Sequence, residues 1–384
     1  MLCFTEILKN LIRIINMLLT PGPTPVPEFA RKAMSDITIH HRTKEFEAIF
    51  EKTRSLLLEI YDMPEALILA SSGTGAMEAC VTNLTRKKAL TVNSGKFGER
   101  FGKICKAFNI DYVELKNEWD TPVGVEDVIN TVKNDKDIDA IFIQVCESAG
   151  GLRHSVEEIA SEVKKINPEI MVVADGITAL GVEKVDTKNI DALITGSQKA
   201  FMLPPGIAMI GLSNKAVAKI EEKPAGYYFN LASELKNQRK NTTAYTAATT
   251  LIIGLGAILE KFKELGFENL YKQTALRAKA TREALKSIGF EIYPKNPANA
   301  MTTVYTEKSN EIRKILKTKY NVDIAGGQDH LAGKIFRINH MGLVEDFEAS
   351  WAVNAVELVM DELGLRAFDG TANRVFSETF YKGK

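Results

Sequence analysis

Thr195-Gly196-Ser197-Gln198-Lys199-Ala200-Phe201-Met202-Leu203-Pro204-Pro205-Gly206 follows directly on the run Ile190-Asp191-Ala192-Leu193-Ile194. A short, mostly apolar run of this kind reads as a strand buried on both faces, the habit of a parallel sheet. Lys199 then stands just past the carboxyl end of that strand, where an open α/β sheet places its ligands. A lysine there is by default a solvated loop residue, since Lys is rarely buried without a partner. In a partly dry cleft, beside groups that lower its pKa, the same amine can form a Schiff base with a carbonyl. Which of the two applies depends on the partners that the rest of the chain brings to it.

Upstream, strands and helices alternate. Residues 66–70, 89–92, 110–115, 140–145 and 170–175 read as strands, and Lys44–Tyr61, 125–132 and Val156–Ile166 as amphipathic helices. This rhythm predicts a mostly parallel sheet with helices on both faces, an α/β fold. Downstream, residues 207–211 read as a further strand and 247–262 as a long apolar helix, and near Gly266 the pattern changes. Helices over 270–288, 310–320 and 344–363, with short strands at 290–293, 301–305 and 334–338, read as a smaller α+β domain. The expected organisation is an extension over 1–16, a large domain over 17–265 and a small C-terminal domain over 266–384. The tail from Arg366 onward reads as polar and weakly patterned.

With 49 Lys+Arg against 49 Asp+Glu in 384 residues, nothing draws the chain to nucleic acid or to an anionic membrane surface. Four scattered cysteines, Cys3, Cys80, Cys105 and Cys146, have neither metal-ligand spacing nor the framework of a small secreted protein, and read as buried thiols of a reducing compartment. Residues 1–16 are apolar but carry Glu6, Lys9 and Arg13, too much charge to span a bilayer. They suit an amphipathic helix, or an extension preceding a biological start at Met17.

Three further features carry chemistry. Ser71-Ser72-Gly73-Thr74-Gly75-Ala76 joins a strand to a helix, where free N–H groups, the helix dipole and two hydroxyls converge on an anion, as in a phosphate cup. No Gly-Lys-Ser/Thr follows, so this is not the nucleotide P-loop, and an ordinary N-cap with a glycine turn fits the same residues. Asp175 ends a strand of apolar residues, where a carboxylate is costly to bury unless it meets a cation or a strong donor; it can equally cap the turn begun by Gly176. Phe97, between Gly95 and Gly98, suits the core or a flat surface for stacking a ring. The pair His40-His41 has no second ligand cluster nearby in sequence to complete a metal site.

A Schiff-base lysine, a phosphate cup, a ring-stacking residue and a strand-end aspartate are together what pyridoxal phosphate requires. Its aldehyde takes the lysine, its phosphate a helix N-terminus, and its ring nitrogen a carboxylate. The order Ser72-Gly73-Thr74, Phe97, Asp175, Gln198-Lys199 resembles the class V aminotransferases of fold type I, the group of alanine–glyoxylate and serine–pyruvate aminotransferases. The resemblance runs from about Leu18 to about Leu363. Its most specific pieces are Leu19-Thr20-Pro21-Gly22-Pro23-Thr24, His41-Arg42-Thr43-Lys44-Glu45-Phe46, Ala174-Asp175-Gly176-Ile177-Thr178-Ala179-Leu180-Gly181 and the stretch around Lys199.

The resemblance implies a role for each matching residue. Lys199 would hold the cofactor and, once freed, carry the substrate's Cα proton. Asp175 would pair with the ring nitrogen, and Phe97 would stack on the ring where many relatives place Trp. Ser72, Gly73, Thr74 and Gln198 would hold the phosphate, joined by Thr243 and Thr246 from the second subunit of a homodimer. Ser148 would reach the ring oxygen, and Gly22, Arg42 and Arg337 would face the substrate, with Arg337 clamping its carboxylate. Glu147-Ser148-Ala149-Gly150-Gly151 stands where relatives read Glu-Thr/Ser-Ser-Thr-Gly, and Thr243-Ala244-Tyr245-Thr246-Ala247 lacks the two prolines common at that place. The implied activity is a cytoplasmic aminotransferase moving nitrogen from alanine or serine to glyoxylate or pyruvate. His41-Arg42 motivates a second substrate reading, phosphoserine, or aspartate or glutamate, with its distal anion on Arg42. A desulfurase would need a loop cysteine, and the last one, Cys146, lies far upstream of Arg337. A non-catalytic subunit of a larger complex is the other alternative.

Overall fold

The structure, a computed structural model, describes residues 17–384; the readings of residues 1–16 lie outside them. Seven strands form the central sheet: β1 (Glu65–Leu69), β2 (Lys88–Asn93), β3 (Asp111–Lys116), β4 (Ile138–Gln144), β5 (Met171–Asp175), β6 (Ala192–Gly196) and β7 (Ala208–Leu212). Their spatial order is β1-β7-β6-β5-β4-β2-β3, and all are parallel except β7, which runs antiparallel between β1 and β6.

Strands that are apolar on both faces require cover on both, and the side-chain period of two divides them between two cores. Leu90, Ile141, Val172 and Leu193 pack with Phe46, Phe50 and Leu57 of helix α1 (Lys44–Tyr61). Ala89, Phe142, Val173 and Ile194 pack with Met77 and Leu84 of α2 (Gly73–Leu84) and Phe101 of α3 (Gly98–Ala107).

The small domain has a four-stranded antiparallel sheet, β8 (Glu291–Ile292), β9 (Met301–Tyr305), β10 (Ala325–Gly326) and β11 (Ile335–Asn339), in the order β8-β9-β11-β10. Helices α4 (Phe267–Ser287) and α5 (Asp346–Glu362) share its core. The tail that reads as weakly patterned ends in a helix instead, α6 (Thr371–Lys382), whose Ala372, Phe376 and Phe380 are buried. Those three stand four residues apart, so one narrow stripe anchors an otherwise polar helix. The buried Glu357 carboxylate accepts from the N–H groups of Thr371 (3.2 Å) and Ala372 (3.0 Å), which satisfies first-turn donors and the dipole of α6.

The beginning of the described chain, expected with the large domain, also departs from the sequence reading. Met17–Leu18 pairs in parallel with Val322–Asp323, and Leu19 enters the small-domain core while its carbonyl accepts from Asn339 N at 2.9 Å. Residues 20–24 then cross to the large domain. Among the described residues, no helix is long and apolar enough to cross a membrane.

Candidate active site

Parallel strands open their carboxyl ends on one edge of the sheet, and five of them deliver the site. β1 runs into Ser72, β2 into Phe97, β4 into Ser148, β5 ends on Asp175 and β6 leads to Lys199. Ser72, Gly73, Thr74, Phe97, Ser148, Asp175, Gln198 and Lys199 line one cavity there.

Lys199 is half-buried beneath the N-terminal crossing. Its Nζ donates to Pro21 O (2.5 Å), while Thr24 Oγ1 donates to Lys199 O (2.6 Å) and Thr24 N to Gln198 O (3.1 Å). Burial first, and then the charge of Arg337, lower the pKa of the amine to about 8. At neutral pH a far larger share is therefore the neutral, nucleophilic form than in a free lysine. Gly22 makes the close approach possible. A Cβ there would stand 2.5 Å from Nζ, on a backbone with φ +107°. Gly22→Ala is expected to displace the amine and lower turnover roughly 10²-fold, the cost of misplacing a reacting group by about an ångström. Turnover within twofold of the parent, in steady-state assays of the loaded enzyme, would show that this contact does not position Lys199.

Asp175 is buried, and its Oδ1 accepts from Ile177 N at 2.9 Å. It thus caps the turn and faces the cavity as well. Burial pushes its pKa up to about 6, against the pull of the Ile177 N–H, Arg100 and Lys199. Phe97 is half-buried on the cavity wall rather than in the core. Ser72 is the N-cap of α2 in extended backbone, yet its side chain makes no capping hydrogen bond, so the hydroxyl is left for a ligand. Gln198 Oε1 is buried without a partner.

Arg337 lies on β11, reaching across from the small domain. Nη1 donates to Ser148 O (2.6 Å), Nη2 (2.6 Å) and Nε (3.1 Å) donate to Gly326 O, and burial lowers its pKa to about 10. Ser148 thus contributes a carbonyl that aims the guanidinium. Thr243 and Thr246 line a different cavity beyond β1, with Tyr228 and Tyr245, and do not reach Lys199 within one chain. Arg42 is exposed and lies off the Lys199 cavity.

Three residues at the site were not anticipated. Glu147 is fully buried, and it accepts from the N–H groups of Phe97 (3.0 Å), Gly98 (2.8 Å) and Ala149 (2.9 Å), which fixes the backbone that carries Phe97. Burial raises its pKa to about 7. Thr178 Oγ1 donates to Cys146 O (3.0 Å), tying the Asp175 turn to the strand beside it. Arg100 lies on the cavity wall, in the first turn of α3.

Fold and site together define a pyridoxal-phosphate-dependent transferase of fold type I. The description "Aminotransferase class-V" matches residues 27–341, and the chain belongs to that family. It is 50% identical over 366 residues to an uncharacterized aminotransferase of Helicobacter pylori, spanning 95% of this chain and 99% of that one. It is 27% identical to the serine–glyoxylate aminotransferase of Methylorubrum extorquens, over 93% of this chain and 94% of the relative. Among solved structures it resembles an aspartate aminotransferase of subgroup IV from Thermus thermophilus, with TM-score 0.84 and 31% identity, covering 90% of this chain and 99% of that one. The protein is therefore an aminotransferase, and its cofactor is pyridoxal phosphate. The residues fit that group: a half-buried amine of lowered pKa, a buried carboxyl for a ring nitrogen and free cup donors at α2.

Proposed function

We propose that the protein transfers the amino group of alanine or serine to glyoxylate or pyruvate in two half-reactions, as a cytoplasmic homodimer. The observation that carries this reading is the single carboxylate clamp, Arg337, held by two carbonyls, while Arg42 is exposed away from the cavity. One clamp suits a donor with one carboxylate and a short side chain. The name of the Methylorubrum relative, serine–glyoxylate aminotransferase, supports the same pair.

When bound, the cofactor supplies an electron-withdrawing ring that acidifies the donor's Cα–H. The chain supplies the rest. The Asp175 carboxylate holds the proton on the ring nitrogen, and Phe97 offers its face to the ring. Ser72, Thr74 and the first-turn N–H groups of α2 hold the phosphate. The Arg337 fork orients the donor carboxylate, so that Cα faces the Lys199 amine. With the cofactor bound, the Lys199 amine would act as base toward the donor's Cα proton and as acid when it passes that proton on, and in the second half-reaction the same amine would carry a proton back to the acceptor's carbon. In the dimer, Thr243 and Thr246 serve the phosphate of the other subunit, and exposed Tyr227 and Tyr228 beside them contribute to the contact.

Aspartate is the second reading, supported by the name of the Thermus structure. Adding alanine, serine, aspartate, glutamate or phosphoserine singly to the loaded enzyme, without an oxo acid, separates the two. The visible absorption band is expected to bleach with alanine or serine and to return with glyoxylate or pyruvate. Bleaching confined to a doubly anionic donor, and lost in Arg42→Ala, would establish the distal-anion reading in its place.

A further inference from the structure

Arg100 lies in the first turn of α3, half-buried on the wall of the Lys199 cavity. Its guanidinium carbon stands 4.8 Å from the centre of the Phe97 ring, and Nη1 donates to Thr74 Oγ1 at 2.9 Å. Among the described residues that is its one side-chain hydrogen bond, and no carboxylate there forms an ion pair with it. A guanidinium presents five donors in a fixed fork, so most of this one's capacity is uncommitted.

The cup at α2 provides hydroxyls and N–H groups but no cation. Of the described residues that line the cavity, only Arg100 and Lys199 are cationic, and Lys199 is committed to the cofactor's aldehyde. A phosphate drawn into a partly dry cleft without a cation is poorly compensated, whereas an arginine fork meets two of its oxygens at once.

We infer that Arg100 is a ligand of the cofactor's phosphate, its fork reaching the anion from beside the Thr74 hydroxyl. The charge of Arg100 already reaches across the cavity, where it lowers the pKa of both Asp175 and Lys199. The inference rests on pyridoxal phosphate as cofactor and is independent of which amino acid is the donor.

The test is equilibrium dialysis of the cofactor-stripped full chain against three probes: pyridoxal phosphate, pyridoxal and inorganic phosphate. Arg100→Ala is expected to weaken pyridoxal phosphate and inorganic phosphate by roughly tenfold to a hundredfold, and to leave pyridoxal within about threefold. Arg100→Lys, which keeps the charge and loses the fork, is expected to recover part of the loss. Equal losses for pyridoxal and pyridoxal phosphate would make Arg100 a wall of the ring site and overturn the inference, as would unchanged pyridoxal phosphate binding. If the alanine variant does not fold by circular dichroism, Arg100→Gln and Arg100→Lys give the same three-probe comparison. Failure of the cofactor reading itself would show separately, as no binding of pyridoxal phosphate by the unsubstituted chain.

Discussion

Lys199→Ala is expected to lower turnover by at least about 10⁴-fold, because in the proposed mechanism one amine both anchors the cofactor and moves the substrate proton. Its pKa of about 8 suits both tasks. Near neutrality it is neutral often enough to attack an aldehyde, and it remains basic enough to accept a proton from carbon. Alanine also removes the hydrogen bond to Pro21 O, but that carbonyl lies at a crossing also held by Thr24, so the fold is expected to survive. Cofactor can still enter the variant through the phosphate cup and Asp175. Two measurements therefore separate the roles of Lys199. Borohydride should fix cofactor covalently to the parent and not to the variant, and a small external amine should restore part of the proton transfer without restoring the attachment. Turnover above about a hundredth of the parent, a smaller loss than removal of a general base ordinarily causes, would mean that another group is the base.

Much of the fold is legible because parallel strands announce themselves as apolar runs. Those at 140–145 and 170–175 coincide closely with β4 and β5, and the sheet edge that receives Lys199 and Asp175 follows from them. The parts that elude a linear reading are those whose meaning is made by contacts far apart in the chain. Glu147 reads as one carboxylate after a strand, and only folding sets it beneath Gly95, where any Cβ would collide with its Cγ and Cδ, and against the N–H groups of Phe97 and Gly98. Phe97 is ambiguous for the same reason: whether it enters the core depends on what closes the far side of the cavity. Arg100 is hidden in an amphipathic helix, where a charged residue ordinarily points to water. Helix α6 escapes because three buried residues in a polar tail make too weak a stripe until α4 is there to receive them. Thr243 and Thr246 are of another kind. Their proposed work lies on another subunit, so neither their neighbours in sequence nor the cavity they line within the chain announces it.

Asp175→Asn is expected to lower turnover roughly 10²- to 10³-fold, the usual scale for losing one preorganised charge partner at a reacting centre. The amide is nearly isosteric and can still accept from Ile177 N, so the turn is retained. It would not stabilise a proton on the ring nitrogen as the carboxylate does in the proposed mechanism, and the ring would lose its electron-withdrawing form. The pH dependence of cofactor binding gives the sharper test. In the folded chain burial holds the Asp175 pKa up to about 6, above its ordinary 3.8. The folded chain therefore keeps this proton longer than the unfolded chain does, and burying the carboxyl costs more stability as pH rises from about 4 to about 6. A protonated ring nitrogen reverses the preference, because it favours the carboxylate. Cofactor binding below pH 6 must then expel the proton from Asp175, and affinity should fall by about tenfold per pH unit. Lys199 would add its own dependence near pH 8, so the ligand of choice is pyridoxamine phosphate, which has no aldehyde to attack. Glu147, with a pKa of about 7, titrates in the same range, as does the ligand's phosphate. The phosphate titrates alike in both, and Glu147 is shifted mainly by its own burial with only a lesser push from the Asp175 charge, so the difference between the two binding curves below pH 6 reports chiefly Asp175. A difference that narrows as pH falls below 6 is the expected result. A constant difference would mean that Asp175 is ionised before the ligand binds and that Arg100 and Lys199 outweigh its burial.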